Sequence, residues 1–123
     1  MSSYAPGTVT VDRVGPSTWI VALRGEHDTT NSDRLRDELA TIFAQGTAVV
    51  VDMSAATFID SATVRELVAA QERAEEVPTE QIVVVAPKDG FARRVLDLLD
   101  VGGVVEIFES RDTALRSFAS QPE

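Results

Sequence analysis

The sequence predicts an α/β fold in which a mixed β-sheet of about five strands packs against about four helices. Runs of β-branched apolar residues alternate along the chain with segments whose apolar residues recur at helical spacing. The first two strand-like segments are joined directly by the turn residues Gly15, Pro16 and Ser17. We therefore expect an N-terminal β-hairpin followed by helix–strand units, with the central strand parallel to its neighbours.

Turn and capping signals divide the chain into these elements. The predicted order begins with a hairpin of residues 8–14 and 19–23, a polar loop at 24–30 and a first helix beginning at Asn31 or Ser32. A central strand at 47–52, a short polar crossing and a second helix from 61 to about 76 follow. The chain then continues with a strand at 81–86, a third helix after Gly90, a short strand at 104–108 and a closing helix opened by Ser110. The central strand is almost continuously apolar, which is typical of a strand covered on both faces.

The helices are predicted from apolar residues spaced three, four and seven positions apart. They are Leu35, Leu39, Ile42 and Phe43 in the first helix, Val64, Leu67 and Val68 in the second, Phe91, Val95, Leu98 and Leu99 in the third, and Ala114, Leu115 and Phe118 in the last. We expect these residues to form the packed faces of their helices.

Composition restricts the classes of function. The 123 residues fit one domain, residues 1–123, with an ordered core from about residue 8 to residue 119. The absence of cysteine excludes disulfides and thiolate metal sites, and we expect no cofactor. A net charge of −9 disfavours direct binding of nucleic acid. The sequence has no apolar run of membrane-spanning length and no secretory signal, so a cytoplasmic protein is expected.

The stretch with the clearest functional signal joins the central strand to the second helix. It ends in Phe58, Ile59, Asp60 and Ser61, directly before apolar residues at helical spacing. In open α/β sheets, binding sites usually lie where strands end and helices begin. Ser61 is therefore the main candidate for a functional residue.

Two motifs resemble those of the STAS domain, the fold of bacterial anti-anti-sigma factors. The first motif is LRGEHD at residues 23–28. The second consists of two short segments, VDMS at 51–54 and FIDS at 58–61. The likeness extends over about residues 8–119. The resemblance implies that Ser61 is phosphorylated by an anti-sigma factor that is also a serine kinase, and that the unphosphorylated chain binds this partner and so frees a sigma factor. It also implies a partner-facing surface, which comprises Asp28, Asp60, Ser61, Ala62, Thr63 and Arg65.

The chain departs from the family pattern after Ser61. The family usually continues with Ser or Thr and then Gly-Leu-Gly, whereas this chain has Ala62, Thr63, Val64 and Arg65. Thr63 and Arg65 thus place bulk and a charge where the family has glycine. The identity of the partner, a second phosphate at Thr63, a phosphatase and a homodimer all remain open at this stage.

Plainer interpretations exist for the same residues. Ser61 can act only as a helix cap, and Asp60 and Asp52 can only satisfy loop amides. A STAS subunit of a lipid-transport complex or of a sensory, stressosome-like assembly would use the Ser61 region for docking without a phosphate switch. Catalysis is disfavoured, because no Gly-x-Ser-x-Gly elbow surrounds Ser61 and nothing in the sequence places His27 near it.

Overall fold

The structure, a computed structural model, describes residues 7–45 and 47–119. Its elements are β1 (Thr8–Arg13), β2 (Thr18–His27), α1 (Ser32–Phe43), β3 (Ala48–Ile59), α2 (Ser61–Glu76), β4 (Gln81–Val85), α3 (Phe91–Leu98), a 3₁₀ turn (Val101–Gly103), β5 (Ile107–Phe108) and α4 (Arg111–Ala119). Within these ranges no helix combines the length and apolar composition needed to cross a membrane.

The five strands form one mixed sheet in the order β1-β2-β3-β4-β5. β1 and β2 pair antiparallel as a hairpin, and β2, β3, β4 and β5 are paired in parallel. The predicted fold class, the hairpin and the parallel central strand are thereby confirmed. β3 lies in the middle of the sheet, but beyond Asp52 its carboxyl end pairs only with β2.

Both faces of the central strand are buried, each by a different set of helices. Val49 and Val51 belong to the core that α1, α2 and α3 share with the sheet. Val50, whose side chain points to the opposite face, packs in a second cluster with Ala114 of α4. This two-sided burial explains why the strand is apolar at successive positions.

Two strands extend beyond their predicted ends. β2 continues to His27 and β3 to Ile59, so the polar loop and the polar crossing predicted at these positions were wrong. The pairing shifts register twice, and each shift places one additional residue on β3. Gly25 accommodates the irregularity with a φ of 79°, a conformation that glycine adopts readily. Polar residues therefore occur within paired strands because bulges interrupt the regular alternation.

Of the residues predicted to pack in the third helix, Val95 is partly buried against the core and the other three are exposed. Ala92 and Leu96 are its buried residues, whereas Phe91, Leu98 and Leu99 are exposed. The last strand is also shorter than predicted and consists only of Ile107–Phe108. Apolar spacing identified the helix correctly but not the side that packs.

Candidate functional site

The candidate site lies where α2 begins, beside the end of β2. Asp60 is the N-cap of α2, and its Oδ1 accepts hydrogen bonds from the amides of Ala62 at 2.9 Å and Thr63 at 3.2 Å. Its own amide donates to the His27 carbonyl at 3.2 Å. Asp60 thus satisfies the first amides of the helix and ties the helix start to β2.

Ser61 is the first residue of α2 and is exposed. Its hydroxyl has no hydrogen-bond partner among residues 7–45 and 47–119, since the capping role belongs to Asp60. The interpretation of Ser61 as the helix cap is therefore wrong. An exposed hydroxyl without a structural task can be modified at little cost to the fold.

The two residues that follow Ser61 point inward. Ala62 is 7% exposed and Thr63 is fully buried. The Thr63 hydroxyl donates to the His27 carbonyl at 3.2 Å, which gives α2 a second attachment to β2. Ala62 and Thr63 are therefore not exposed on the partner-facing surface, where we expected them. They pack in the interior and hold the start of α2 in place.

His27, which lies in the segment predicted to be a polar loop, is buried. It is the last residue of β2, only 1% exposed, and its Nε2 lies 3.0 Å from the carbonyl oxygen of Arg24. Because its carbonyl accepts from both Asp60 and Thr63, His27 joins the end of β2 to the start of α2. Sequence reasoning missed this role, because His27 stands among the polar residues of a predicted loop.

Asp28 lies in the short connection between β2 and α1. Hydrogen bonds from the Thr30 hydroxyl and amide lower the pKa of Asp28 below its ordinary value. Asn31 holds the same connection through its side chain, accepting from the Asp28 amide at 2.9 Å and donating to the Glu26 carbonyl at 3.0 Å. The Asp28 carboxylate is therefore ionised and held in place by Thr30, directly after His27 in the chain.

Gly7 packs tightly against this connection. A Cβ atom at Gly7 would lie 2.3 Å from the Glu26 carbonyl oxygen and 2.4 Å from the Asn31 side-chain nitrogen. Neither distance is sterically allowed, so any larger residue would displace the loop that carries Asp28. Sequence reasoning gave no role to this glycine.

Arg65 lies one helical turn after Ser61 and is exposed. Within the described part of the chain it forms no ion pair and no hydrogen bond through its side chain. In contrast, the guanidinium of Arg73, further along α2, is paired with Glu80 at 3.3 Å. The start of α2 therefore presents a free cation beside a free hydroxyl.

Two exposed aromatic rings contact each other, and one of them shortly precedes Ser61 in the sequence. Phe58, three residues before Ser61, stacks on Phe91 at the start of α3 with ring centroids 5.7 Å apart. The two side chains are 37% and 41% exposed. Aromatic residues of this kind are enriched in protein–protein interfaces, and sequence reasoning had placed Phe91 in the core.

The site contains no arrangement suited to a metal. Among residues 7–45 and 47–119, no three or more His, Asp or Glu side chains are grouped closely enough to hold a metal ion. An apolar groove of about 160 Å³ lies between α1 and α2, but none of the predicted site residues lines it.

Comparison with known families gives one clear match. Residues 8–114 match the model of the STAS domain. Among curated protein sequences, none is significantly similar to the chain.

Solved structures show the same fold. An anti-sigma factor antagonist from Mycobacterium paratuberculosis is 25% identical, with a TM-score of 0.80 over 93% of this chain and 97% of that one. The anti-sigma factor antagonist SpoIIAA, solved in its unphosphorylated form, is 19% identical, with a TM-score of 0.74 over 94% of this chain and 100% of that one. The phosphorylated form from Bacillus is 18% identical, with a TM-score of 0.69 over 90% and 99% of the two chains.

A larger protein contains a similar unit. The murine anion transporter Slc26a9 is 18% identical, with a TM-score of 0.66 over 94% of this chain but only 22% of its own length. At this identity, as for SpoIIAA, the likeness concerns the fold alone.

Proposed function

The chain belongs to the STAS domain family, and we propose that it is a cytoplasmic anti-sigma factor antagonist switched by phosphorylation of Ser61. In its unphosphorylated form it binds an anti-sigma factor that is also a serine kinase, and a sigma factor is released for transcription. Phosphorylation makes the chain dissociate. The observation that carries this proposal is the exposed Ser61 hydroxyl, which has no hydrogen-bond partner within the described residues.

The chain is a substrate in this reaction and not the catalyst. The Ser61 oxygen attacks the γ-phosphorus of ATP, so that one O–P bond forms, the bond to ADP breaks and the hydroxyl proton passes to a base of the kinase. The kinase supplies the nucleotide, Mg²⁺ and the base. Ser61 suits this role because an exposed hydroxyl at a helix start can enter another protein's active site without unfolding.

Charge explains why the phosphorylated form would be released. A phosphate adds about −1.5 to −2 charge at neutral pH. Within the chain, at about 6 Å and an effective dielectric constant of about 20 to 80, the Asp60 carboxylate repels it by roughly 1 to 6 kcal/mol, so the modification is not expected to tighten the fold. Inside an interface the same charge would also be desolvated, at a cost of several kcal/mol. Since about 1.4 kcal/mol corresponds to a factor of ten, we expect the affinity to fall at least about a hundredfold.

The partner would cover the start of α2 and the connection after β2. Asp28, Asp60, Ser61 and Arg65 supply the polar contacts that we propose, and Ala62 and Thr63 contribute from beneath by fixing the helix. Phe58 and Phe91 would supply apolar contact area at the edge. This combination of charged and aromatic side chains is typical of protein interfaces.

The proposal is tested by phosphorylation of the intact chain. The kinase recovered on the immobilised chain is incubated with it in the presence of ATP and Mg²⁺, and mass spectrometry locates the phosphate. We expect one phosphate, on Ser61, and none in S61A. T41A is the matched control and should be labelled like the native chain, because it removes an exposed hydroxyl on α1, outside the proposed partner surface. Equal labelling of S61A would refute the assignment.

A second proposal is a docking role without a phosphate switch, since a STAS-like fold also occurs as one part of the larger murine transporter. In that case the chain would be a docking subunit of a lipid-transport or sensory complex, and Ser61 would contact a partner without being phosphorylated. Copurification separates the two proposals. A partner with a histidine-kinase-like ATPase fold supports the switch, and a transporter ATPase or sensory scaffold protein supports the docking subunit.

A further inference from the structure

Arg65 is a free cation at a fixed distance from Ser61. The two residues are four positions apart on α2, both are exposed, and the Arg65 side chain has no partner within the described residues. In an α-helix, residues four apart lie on the same face, with Cβ atoms about 5 to 6 Å from each other. The long arginine side chain can therefore reach an oxygen of a phosphate carried by Ser61.

Two amides at the start of the helix, those of Ala62 and Thr63, are not available to that phosphate. The Asp60 carboxylate already accepts from the amides of Ala62 and Thr63, and its charge repels a second anion at the same place. A phosphoryl group on Ser61 must therefore find its countercharge on a side chain. Arg65 is the cation that the helix presents one turn further along the same face.

We propose that Arg65 pairs with the phosphoryl group of phosphorylated Ser61 within the same chain. This inference rests on the proposed function of Ser61 and adds a regulatory element to it. In the unphosphorylated chain, Arg65 is free to contact a carboxylate of the partner. After phosphorylation it turns to the phosphate, so the modification adds a negative charge to the surface and also withdraws a positive one.

At the position of Arg65 the usual family pattern has glycine, which has no side chain that could bind a phosphate. Arginine is also suited to the task, because its planar guanidinium can donate two parallel hydrogen bonds to phosphate oxygens.

The test uses the full chain with phosphoserine inserted at position 61 during synthesis, so that it does not depend on any kinase. A ³¹P NMR titration measures the second pKa of the phosphate. A nearby cation favours the doubly charged form, so we expect this pKa to be lower in the native chain than in R65Q by about 0.2 to 0.4, from the strength of helical ion pairs. Asp28, Asp60 and His27 are common to both proteins, so their influence cancels.

Two variants separate a specific pair from a general charge effect. R65K retains the cation and should keep most of the decrease in pKa. R65Q/A69R has the native net charge, but its arginine lies eight residues from position 61, about 12 Å along the helix axis, and should behave like R65Q. Circular dichroism verifies that all variants are folded. Equal pKa values in the native chain and R65Q, or full recovery in R65Q/A69R, would overturn the inference.

The titration and the kinase test of the proposed function can fail separately. If no kinase phosphorylates Ser61, the proposed function fails while the titration still detects or excludes the ion pair. If the titration shows no pair, Ser61 can still be the switch, and Arg65 then has only the role of a partner contact.

Discussion

The helices α2 and α3 begin in equivalent places but are attached to the sheet differently. Each follows the carboxyl end of a neighbouring parallel strand, β3 or β4. α2 has a side-chain cap from Asp60 and buries six residues, whereas α3 follows Gly90, has no side-chain cap and buries only Ala92 and Leu96. The first helix start is therefore a rigid platform for Ser61. The second leaves apolar side chains on the surface, where a partner can cover them.

This contrast also shows that apolar spacing can predict a helix without predicting which of its faces is buried. Leu98 fits the predicted spacing of a packed face, yet it is 83% exposed, while Leu96 is fully buried. Both faces of α3 carry apolar residues, and the sequence alone does not say which face meets the sheet. An exposed apolar face on a short helix indicates an interaction surface and not a core.

The largest expected effect separates the two faces of α3. L96A should reduce the free energy of unfolding by about 2 to 5 kcal/mol, because it leaves a cavity in the core. L98A should change it by less than about 0.5 kcal/mol, because the side chain is already in contact with water. Urea denaturation measures both values. Similar losses in the two variants would contradict the packing of α3 through the face that carries Leu96.

The helix α4 extends the comparison to the opposite side of the sheet, where it is attached by an ion pair. Asp52 accepts hydrogen bonds from the Ser54 amide and hydroxyl, and Arg111 of α4 pairs with its other oxygen. Burial acts to raise the pKa of Asp52, but the hydrogen bonds from Ser54 and Arg111 outweigh it and the pKa is lowered. At neutral pH, D52N should cost about 1 to 2 kcal/mol of the free energy of unfolding.

The same ion pair predicts a pH dependence. Because the pKa of Asp52 is lower in the folded chain, its contribution is complete above the ordinary value of 3.8 and is lost as the pH falls through the lowered value. Denaturation measured between neutral pH and about pH 2 should show a shallower acid dependence in D52N than in the native chain. Parallel curves would contradict the pairing with Arg111.

The cap of α2 provides the next prediction. D60A removes the acceptor for the amides of Ala62 and Thr63 and should destabilise the chain by about 0.5 to 2 kcal/mol. D60N is the control, because an asparagine oxygen can accept the same bonds and should keep most of the stability. If D60A unfolds at the same urea concentration as the native chain, the platform under Ser61 does not depend on this cap.

The smallest expected effect concerns the hydroxyl of Thr63. T63V preserves the shape of the side chain but removes the hydrogen bond to the His27 carbonyl, so it should cost about 0.5 to 1.5 kcal/mol. T63S keeps the hydroxyl and loses only a methyl group. Amide hydrogen exchange at the start of α2 should be faster in T63V than in T63S, and the reverse order would exclude a role for this bond.

Most of the fold could be predicted because its strands and helices carry regular apolar patterns. The hairpin, the parallel central strand and the second helix, from Ser61 to Glu76, were predicted within the accuracy of such patterns. The extended ends of β2 and β3 could not be, because bulges and the left-handed Gly25 place polar residues inside paired strands. Their hydrogen-bond partners, such as Arg111 for Asp52, are far away in the sequence.

The site shows the same division. The exposed position of Ser61 and the helix start after Asp60 follow from local signals and were predicted. The burial of His27 and Thr63 depends on contact between the end of β2 and the start of α2, which are 36 residues apart at the Thr63 hydrogen bond. No local pattern reports such a contact. The close packing of Gly7 and the stacking of Phe58 on Phe91 also depend on neighbours that are far away in the sequence.

The most direct test of the central claim is the affinity of the chain for the proposed anti-sigma partner before and after phosphorylation of Ser61. Isothermal titration calorimetry with the purified partner compares the native chain, the form with phosphoserine at position 61, S61A and S61E. We predict that S61A binds like the native chain and that the phosphorylated form binds at least about a hundredfold more weakly. S61E should lie between them, because it carries a smaller charge. Equal affinities for the native and phosphorylated forms would contradict the account.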